Sequence, residues 1–244
     1  MINNLRRSSL YRHIALKFKS SDAITHAYSF LFQGSDNKSI ISRRSDLCID
    51  GPMRCANHYM LEIMSKYYPT LSIAHHYHSP GSIKLGIRFN IPSILVIRDP
   101  IDQISSSKVY LPNIGIDQLI FEYLHFLLSL SSYHKKIIVS DFSRTINNPI
   151  SIVNEIQGRF KIFPKNKKIE MNDKDFIEAV TKRKEVLASQ PSRSPFPSEW
   201  REFEKSYVKD KVVAKLKDTS RGKKLSETYK FFQEISLKSE DIYK

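Results

Sequence analysis

Leu47-Cys48-Ile49-Asp50-Gly51-Pro52-Met53-Arg54-Cys55-Ala56-Asn57-His58-Tyr59-Met60 is the stretch on which the fold turns. A short apolar run meets Gly-Pro and then a helix-like pattern, which predicts a strand over 47–50, a loop, and a helix from Asn57. Gly51 permits a positive φ, Asn57 suits the left-handed region or a helix cap, and Arg54 brings a charge beside amides that no earlier helical turn satisfies. Such a junction suits an anion, though it also occurs as plain connection between strand and helix. A Walker A loop would need Gly-x-x-x-x-Gly-Lys-Ser/Thr. The second glycine and the Lys-Ser/Thr pair are absent, which disfavours a nucleoside triphosphatase.

Outward from this junction strands and helices alternate: strand 71–77, helix 80–89, strand 93–98 and helix 100–110. That order predicts an α/β fold with a parallel sheet. Ser79-Pro80, Asp99-Pro100 and Asn148-Pro149 each set a capping side chain before a proline at the first helical position. The runs Ile94-Leu95-Val96-Ile97 and Ile137-Ile138-Val139 are apolar without alternation, as in strands covered on both faces. The apolar stretch 116–132, interrupted by Glu122 and His125, reads as a buried helix. Beyond Phe160 come polar helices over 173–189, 199–208 and 226–238, joined by the proline-rich 191–197 and by basic turns. This tail is expected to wrap the sheet and carry much of the positive charge. Residues 1–45 are basic and serine-rich, with ragged helical patterns and no assigned chemistry.

The chain has 244 residues, 41% of them hydrophobic, enough for a real core. Nothing in its composition divides it, so one domain over 1–244 is expected, with an α/β nucleotide-binding core at 46–160 and a basic, mainly helical part at 161–244. With 39 basic and 25 acidic residues the net charge is +14, which favours anionic partners without choosing among them. Cys48 and Cys55 form neither a disulfide framework nor a paired zinc motif. No signal-peptide core or run of about 18 apolar residues appears, so a soluble, cytoplasmic protein is expected, with no membrane span.

Two further groups sit at carboxyl ends of strands, the edge where ligands bind open α/β sheets. In Ala74-His75-His76-Tyr77-His78-Ser79-Pro80, strand alternation puts His76 and His78 on one face and His75 on the other. His78 suits a general base; zinc binding through His76 and His78, or plain structural histidines, are the alternatives. In Arg98-Asp99-Pro100-Ile101-Asp102-Gln103-Ile104-Ser105-Ser106, Asp99 can cap the helix and Asp102 stands at the capping-box position. Arg98 and Ser106 could grip a second phosphate, or Arg98 could pair with Asp99 or Asp102.

Arg54, His78 and Arg98 thus each follow a successive strand. With these residues the chain resembles the sulfotransferases that use 3′-phosphoadenosine 5′-phosphosulfate. Gly51-Pro52-Met53-Arg54-Cys55-Ala56-Asn57-His58 looks like that family's loop Gly-x-x-Arg/Lys-Ser-Gly/Ala-Thr/Asn-Thr. Arg98-x-Pro100-x-Asp102 with Ser106 is similar to its 3′-phosphate motif, and His78-Ser79-Pro80 to its His-x-Pro; Val139-Ser140-Asp141-Phe142 with Asn148-Pro149 resembles a later segment. The resemblance covers about 46–160. It implies a P-loop-like, three-layer sheet with helices on both faces and sulfuryl transfer from 3′-phosphoadenosine 5′-phosphosulfate to an acceptor hydroxyl or amine, with no metal. Gly51, Arg54, Cys55, Ala56, Asn57 and His58 would hold the phosphosulfate, Arg98 and Ser106 the 3′-phosphate, and His78 would take the acceptor's proton. Arg54 would also stabilise charge on the bridging oxygen.

Cys55 stands where the family has serine and His58 where it has threonine, and the C-terminal loop that closes over the donor in cytosolic members has no recognisable counterpart beyond Ser192, Arg193 and Arg201. A catalytically degenerate nucleotide- or polyanion-binding protein of the same fold is therefore the competing expectation. A kinase is disfavoured by the missing Walker pair. The acceptor, a small molecule or glycan rather than a nucleic acid, would meet segments 1–45, 111–135 and 190–210.

Overall fold

Short apolar runs between helix-capping signals become strands of one parallel sheet. The computed structural model describes residues 41–75, 77–162 and 198–243 with Ser21 and Ala27, and of 198–205 the backbone only. In chain order the elements are β1 (Leu47–Asp50), α1 (Asn57–Tyr67), β2 (Ile73–His75), α2 (Pro80–Arg88), β3 (Ser93–Val96), α3 (Pro100–Tyr110) and α4 (Ile116–Leu128). They continue with β4 (Ile138–Ser140), α5 (Phe142–Asn147), α6 (Pro149–Phe160), α7 (Ser198–Asp218) and α8 (Ser220–Ile242). The spatial order is β2-β1-β3-β4. Cys48 lies opposite Ala74, Ile49 opposite Ile94, and Leu95 opposite Val139.

Every residue of β1, β3 and β4 is buried. Successive strand side chains point to opposite faces, so both faces of the sheet are covered. The three capped starts form as their residue types require. Ser79 accepts from the Gly81 amide, Asp99 from those of Ile101 and Asp102, and Asn148 from that of Ser151, each before its proline.

β2 is shorter than the expected 71–77, because the chain leaves the sheet after His75 and His78 adopts a left-handed φ of 52°. α4 stops at Leu128, where Ser131 Oγ donates to the Leu128 carbonyl and a 3₁₀ turn, Ser131–Lys136, takes over. α7 and α8 run longer than expected and meet at Thr219, whose side chain caps α8 through the Gly222 amide. The expected helix 173–189 and the linker 191–197 lie outside the described residues.

The C-terminal hairpin does lie on the core. α7 packs on α3, and α8 packs on α4 and β4. Lys209 pairs with Asp102 at 2.8 Å, and Ser236 Oγ accepts from the Asp141 amide at 3.0 Å. Beneath it Arg144, 1% exposed, donates to Val139 O, Ser151 O and Ser151 Oγ and pairs with Glu155 at 2.9 Å. Such a charge is tolerated because each of its three nitrogens has a partner and Glu155 balances it. Both cysteines are buried and free. Among the described residues no helix is long and apolar enough to cross a membrane.

Gly51 has a role other than the one its sequence context suggests. No described glycine has positive φ; a Cβ on Gly51 would instead lie 2.1 Å from Val96 O and 2.9 Å from Asn57 Oδ1. The ends of β1 and β3 close on each other here. Gly51→Ala should therefore cost about 2 kcal/mol or more in urea denaturation, within the range for overpacked sites. At Gly115 a Cβ would meet nothing within 4 Å, and Gly115 caps α4 with φ −67°. Gly115→Ser should be neutral or stabilising by roughly a few tenths of a kcal/mol; equal losses at both positions would refute the close-approach account.

Candidate functional site

With strand order β2-β1-β3-β4, the chain leaves β1 for one neighbour and returns to the other side for β3. Loops at the carboxyl ends of β1 and β3 therefore diverge and open a crevice, the switch point of an open α/β sheet. The loop 51–56 leaves β1 at this point.

Side-chain donors hold the carbonyls of that loop. Asn57 Nδ2 donates to Gly51 O at 3.0 Å and to Pro52 O at 3.1 Å. Gln103 Nε2 donates to Met53 O at 2.7 Å, and Arg98 Nη1 to Arg54 O at 3.4 Å. In a trans peptide each carbonyl is antiparallel to the next residue's N–H. The amides of Met53, Arg54 and Cys55 thus point away from these donors. Arg54 and Ala56 have φ of 67° and 69°, a strained setting for residues with a Cβ. Ala56 caps α1 without a side-chain hydrogen bond.

Asp50 ties this loop to the next one. Its buried carboxylate accepts from Gly51 N and His78 N, both at 2.9 Å, and from Ser79 N at 3.2 Å. Burial pushes its pKa up to about 6, against the opposing pull of His78 and the three amides. The half-buried His78 places Nδ1 3.0 Å from Gly51 O, 3.4 Å from Asn57 Nδ2 and 3.9 Å from Asp50 Oδ1. A carbonyl can only accept, so the shortest contact puts a proton on Nδ1 and leaves Nε2 as the base in neutral His78. Because His78 lies beyond β2 in the left-handed region, strand alternation does not set its direction. His75 ends β2 half-buried, and His76, which the zinc alternative needs, lies outside the described residues.

On the β3 side, Arg98 lies 4.3 Å from the centroid of the Phe142 ring. Tyr123 clasps its backbone: the hydroxyl accepts from Arg98 N at 3.1 Å and donates to Arg98 O at 2.5 Å. Burial raises the Tyr123 pKa well above its ordinary value, which keeps that proton in place. Neither neighbouring acid holds Arg98, since Asp99 caps α3 and Asp102 meets Lys209. Arg98 Nε is buried without a partner. Ser106 faces Arg54 rather than Arg98: Arg54 Nε donates to Ser106 Oγ at 3.0 Å, and the guanidinium lies 5.5 Å from the Tyr110 ring centroid.

The remaining loop residues divide by exposure. His58 is exposed on the first turn of α1, and Ala56 is half-buried. Cys55 is fully buried, its pKa pushed up to about 12 by that burial, so it can offer an anion only its backbone amide. Ser192 and Arg193 lie outside the described residues, and of Arg201 only the backbone is described. Beside His78 opens a cavity of about 70 Å³, walled by Met53, Gln103, Glu122, Tyr123 and Phe126 among others.

Sequence reasoning missed Asp50, Gln103 and Tyr123. A carboxylate ending a fully apolar strand is a readable signal of a buried, hydrogen-bonded acid. Gln103 and Tyr123 read only as parts of helix patterns. No family model, curated protein or solved structure matches the chain.

The Asp50 carboxyl binds its proton near pH 6 in the folded chain and near 3.8 in the unfolded one. Between those values the folded state holds more protons, so stability is greatest at low pH and falls as pH rises through this window. Relative to Asp50→Asn, the parent should lose about 3 kcal/mol between roughly pH 3.5 and 7. Urea titrations of both proteins across that range check it. Parallel stability curves would show that Asp50 is not the titrating group.

Proposed function

We propose that the chain is a sulfotransferase moving a sulfuryl group from 3′-phosphoadenosine 5′-phosphosulfate to an acceptor hydroxyl or amine. The supporting observation is the loop 51–56 at the sheet's switch point, whose carbonyls 51–54 are all taken by side chains from behind. Its amides and the start of α1 then favour an anion.

In this reading the amides of Met53, Arg54 and Cys55 and the Arg54 guanidinium hold the 5′-phosphosulfate. Arg98 supplies a planar fork to the 3′-phosphate. Ser106 Oγ accepts from Arg54, which leaves its own proton for a phosphate oxygen. His78 Nε2 takes the proton of the acceptor hydroxyl as that oxygen attacks sulfur. The bond from sulfur to the bridging oxygen breaks, and its electron pair stays on the departing 5′-phosphate. Arg54 offsets that charge in this reading.

A non-catalytic polyanion-binding protein is the second reading, favoured by the burial of Cys55 and the net charge of +14. Calorimetry separates the two. The sulfotransferase should bind adenosine 3′,5′-bisphosphate in preference to ATP, and Arg98→Ala should weaken that binding by about tenfold or more. His78→Ala should leave bisphosphate binding intact and lower transfer by about 10²–10⁴-fold. Equal affinity for ATP, lost steeply with added salt, would establish the polyanion binder instead.

A further inference from the structure

Three amides converge on Asp50, and an amide needs an acceptor rather than a charge. Gly51 N and His78 N, both at 2.9 Å, donate to Oδ1, a bond that the side-chain oxygen of an asparagine could also accept. Only Ser79 N, at 3.2 Å, uses Oδ2. The side chain is nonetheless a carboxyl group, 1% exposed, and burial works against its charge. What the charge adds lies in the imidazole beside it. His78 Nδ1 stands 3.9 Å from Asp50 Oδ1, too far for a hydrogen bond but near enough for a Coulomb attraction at a buried site. On the acid's side that attraction is visible: His78 pulls the Asp50 pKa down against the effect of burial. Cys48, a further titratable neighbour of Asp50, is a buried thiol whose pKa is raised well above its ordinary value, so it stays neutral.

The same geometry orders the ring. Gly51 O, 3.0 Å from Nδ1, takes the Nδ1 proton, and the carboxylate adds negative potential on that side of the imidazole, so the bare nitrogen is Nε2. The left-handed backbone of His78 is held by its own amide's bond to Asp50 Oδ1. One carboxylate therefore fixes the main chain of the base and lies beside its ring. We propose that Asp50 is the positioning residue of His78: its charge keeps the proton on Nδ1 and offsets the imidazolium that forms when Nε2 takes the acceptor's proton. The inference rests on the sulfuryl-transfer reading and adds a residue to it. During transfer the proton of the acceptor hydroxyl moves to Nε2, the acceptor oxygen bonds to sulfur, and the bond from sulfur to the bridging oxygen breaks with its electron pair left on the 5′-phosphate. Nδ1 keeps its own proton throughout and Asp50 receives none. The carboxylate acts through its field, as a charge already in place before the imidazolium forms.

The test uses the full chain and its Asp50→Asn variant, with adenosine 3′,5′-bisphosphate as the binding probe and water as the sulfuryl acceptor. Nitrogen NMR spectra of the imidazole at neutral pH, with the His78 signals assigned by their loss in His78→Ala, should show Nδ1 protonated and Nε2 bare in the parent. Asp50→Asn should add the Nε2–H form and lower kcat for sulfuryl release to water by about tenfold or more, while the donor KM and the bisphosphate affinity stay within about twofold. Asp50→Glu, which restores the charge, should recover part of the lost kcat, with thermal melts showing that both variants fold. A parent ring protonated at Nε2 overturns the proposal, and that spectrum decides even where Asp50→Asn does not fold. So does an Asp50→Asn variant whose ring or kcat matches the parent, or whose kcat falls in step with lost bisphosphate affinity, since Asp50 would then be a loop anchor alone. If the parent binds no bisphosphate, the sulfotransferase reading fails. In that case, or if no sulfuryl reaches water, the ring spectra judge Asp50 by themselves: the Nε2–H form appearing in Asp50→Asn supports its hold on His78, and an unchanged ring overturns it.

Discussion

The buried carboxylate of Asp50 is the constraint on which the candidate site depends. It ends β1, and its oxygens accept from the amides of Gly51, His78 and Ser79. One group thereby fixes the departure of the first loop, the course of the chain after β2, and the approach to the cap of α2. Removing a carboxylate from water is expensive, and three amide hydrogen bonds are what make it tolerable here. The cost shows in the raised pKa of Asp50 and in the left-handed backbone of His78. Strain of this kind persists only where the surroundings over-determine the conformation.

Around that anchor the two sides of the crevice are joined in both directions. Gln103 on α3 and Arg98 after β3 reach back to the carbonyls of the β1 loop, while Arg54 in that loop reaches forward to Ser106 on α3. Tyr123 on α4 holds the Arg98 backbone, and Lys209 on α7 holds Asp102 on α3. α3 is thus held from the loop and from the C-terminal hairpin.

The electrostatics divide by location. Positive charge is spread along exposed faces and is concentrated at the crevice by Arg54 and Arg98, where an anion would meet oriented amides. The cavity beside His78 differs, since its lining includes Glu122 and, among the described residues, no lysine or arginine.

Much of the scaffold was legible from local chemistry. Short apolar runs determined the strands and the parallel order of the sheet, and capping side chains before proline determined three helix starts, because those signals act over a few residues. The same logic put Arg54, His78 and Arg98 at the carboxyl edge of the sheet. Contacts distant in sequence were decided by the tertiary structure alone. Gly51 is needed because Val96 O approaches it, not for a positive φ; His78 is aimed by Asp50 rather than by strand alternation; Cys55 turns into the core; and Ser106 meets Arg54 instead of Arg98. Residue type and spacing specify what a group can donate, accept or cap. Which partner it meets depends on how strands and helices far apart in the chain close on one another.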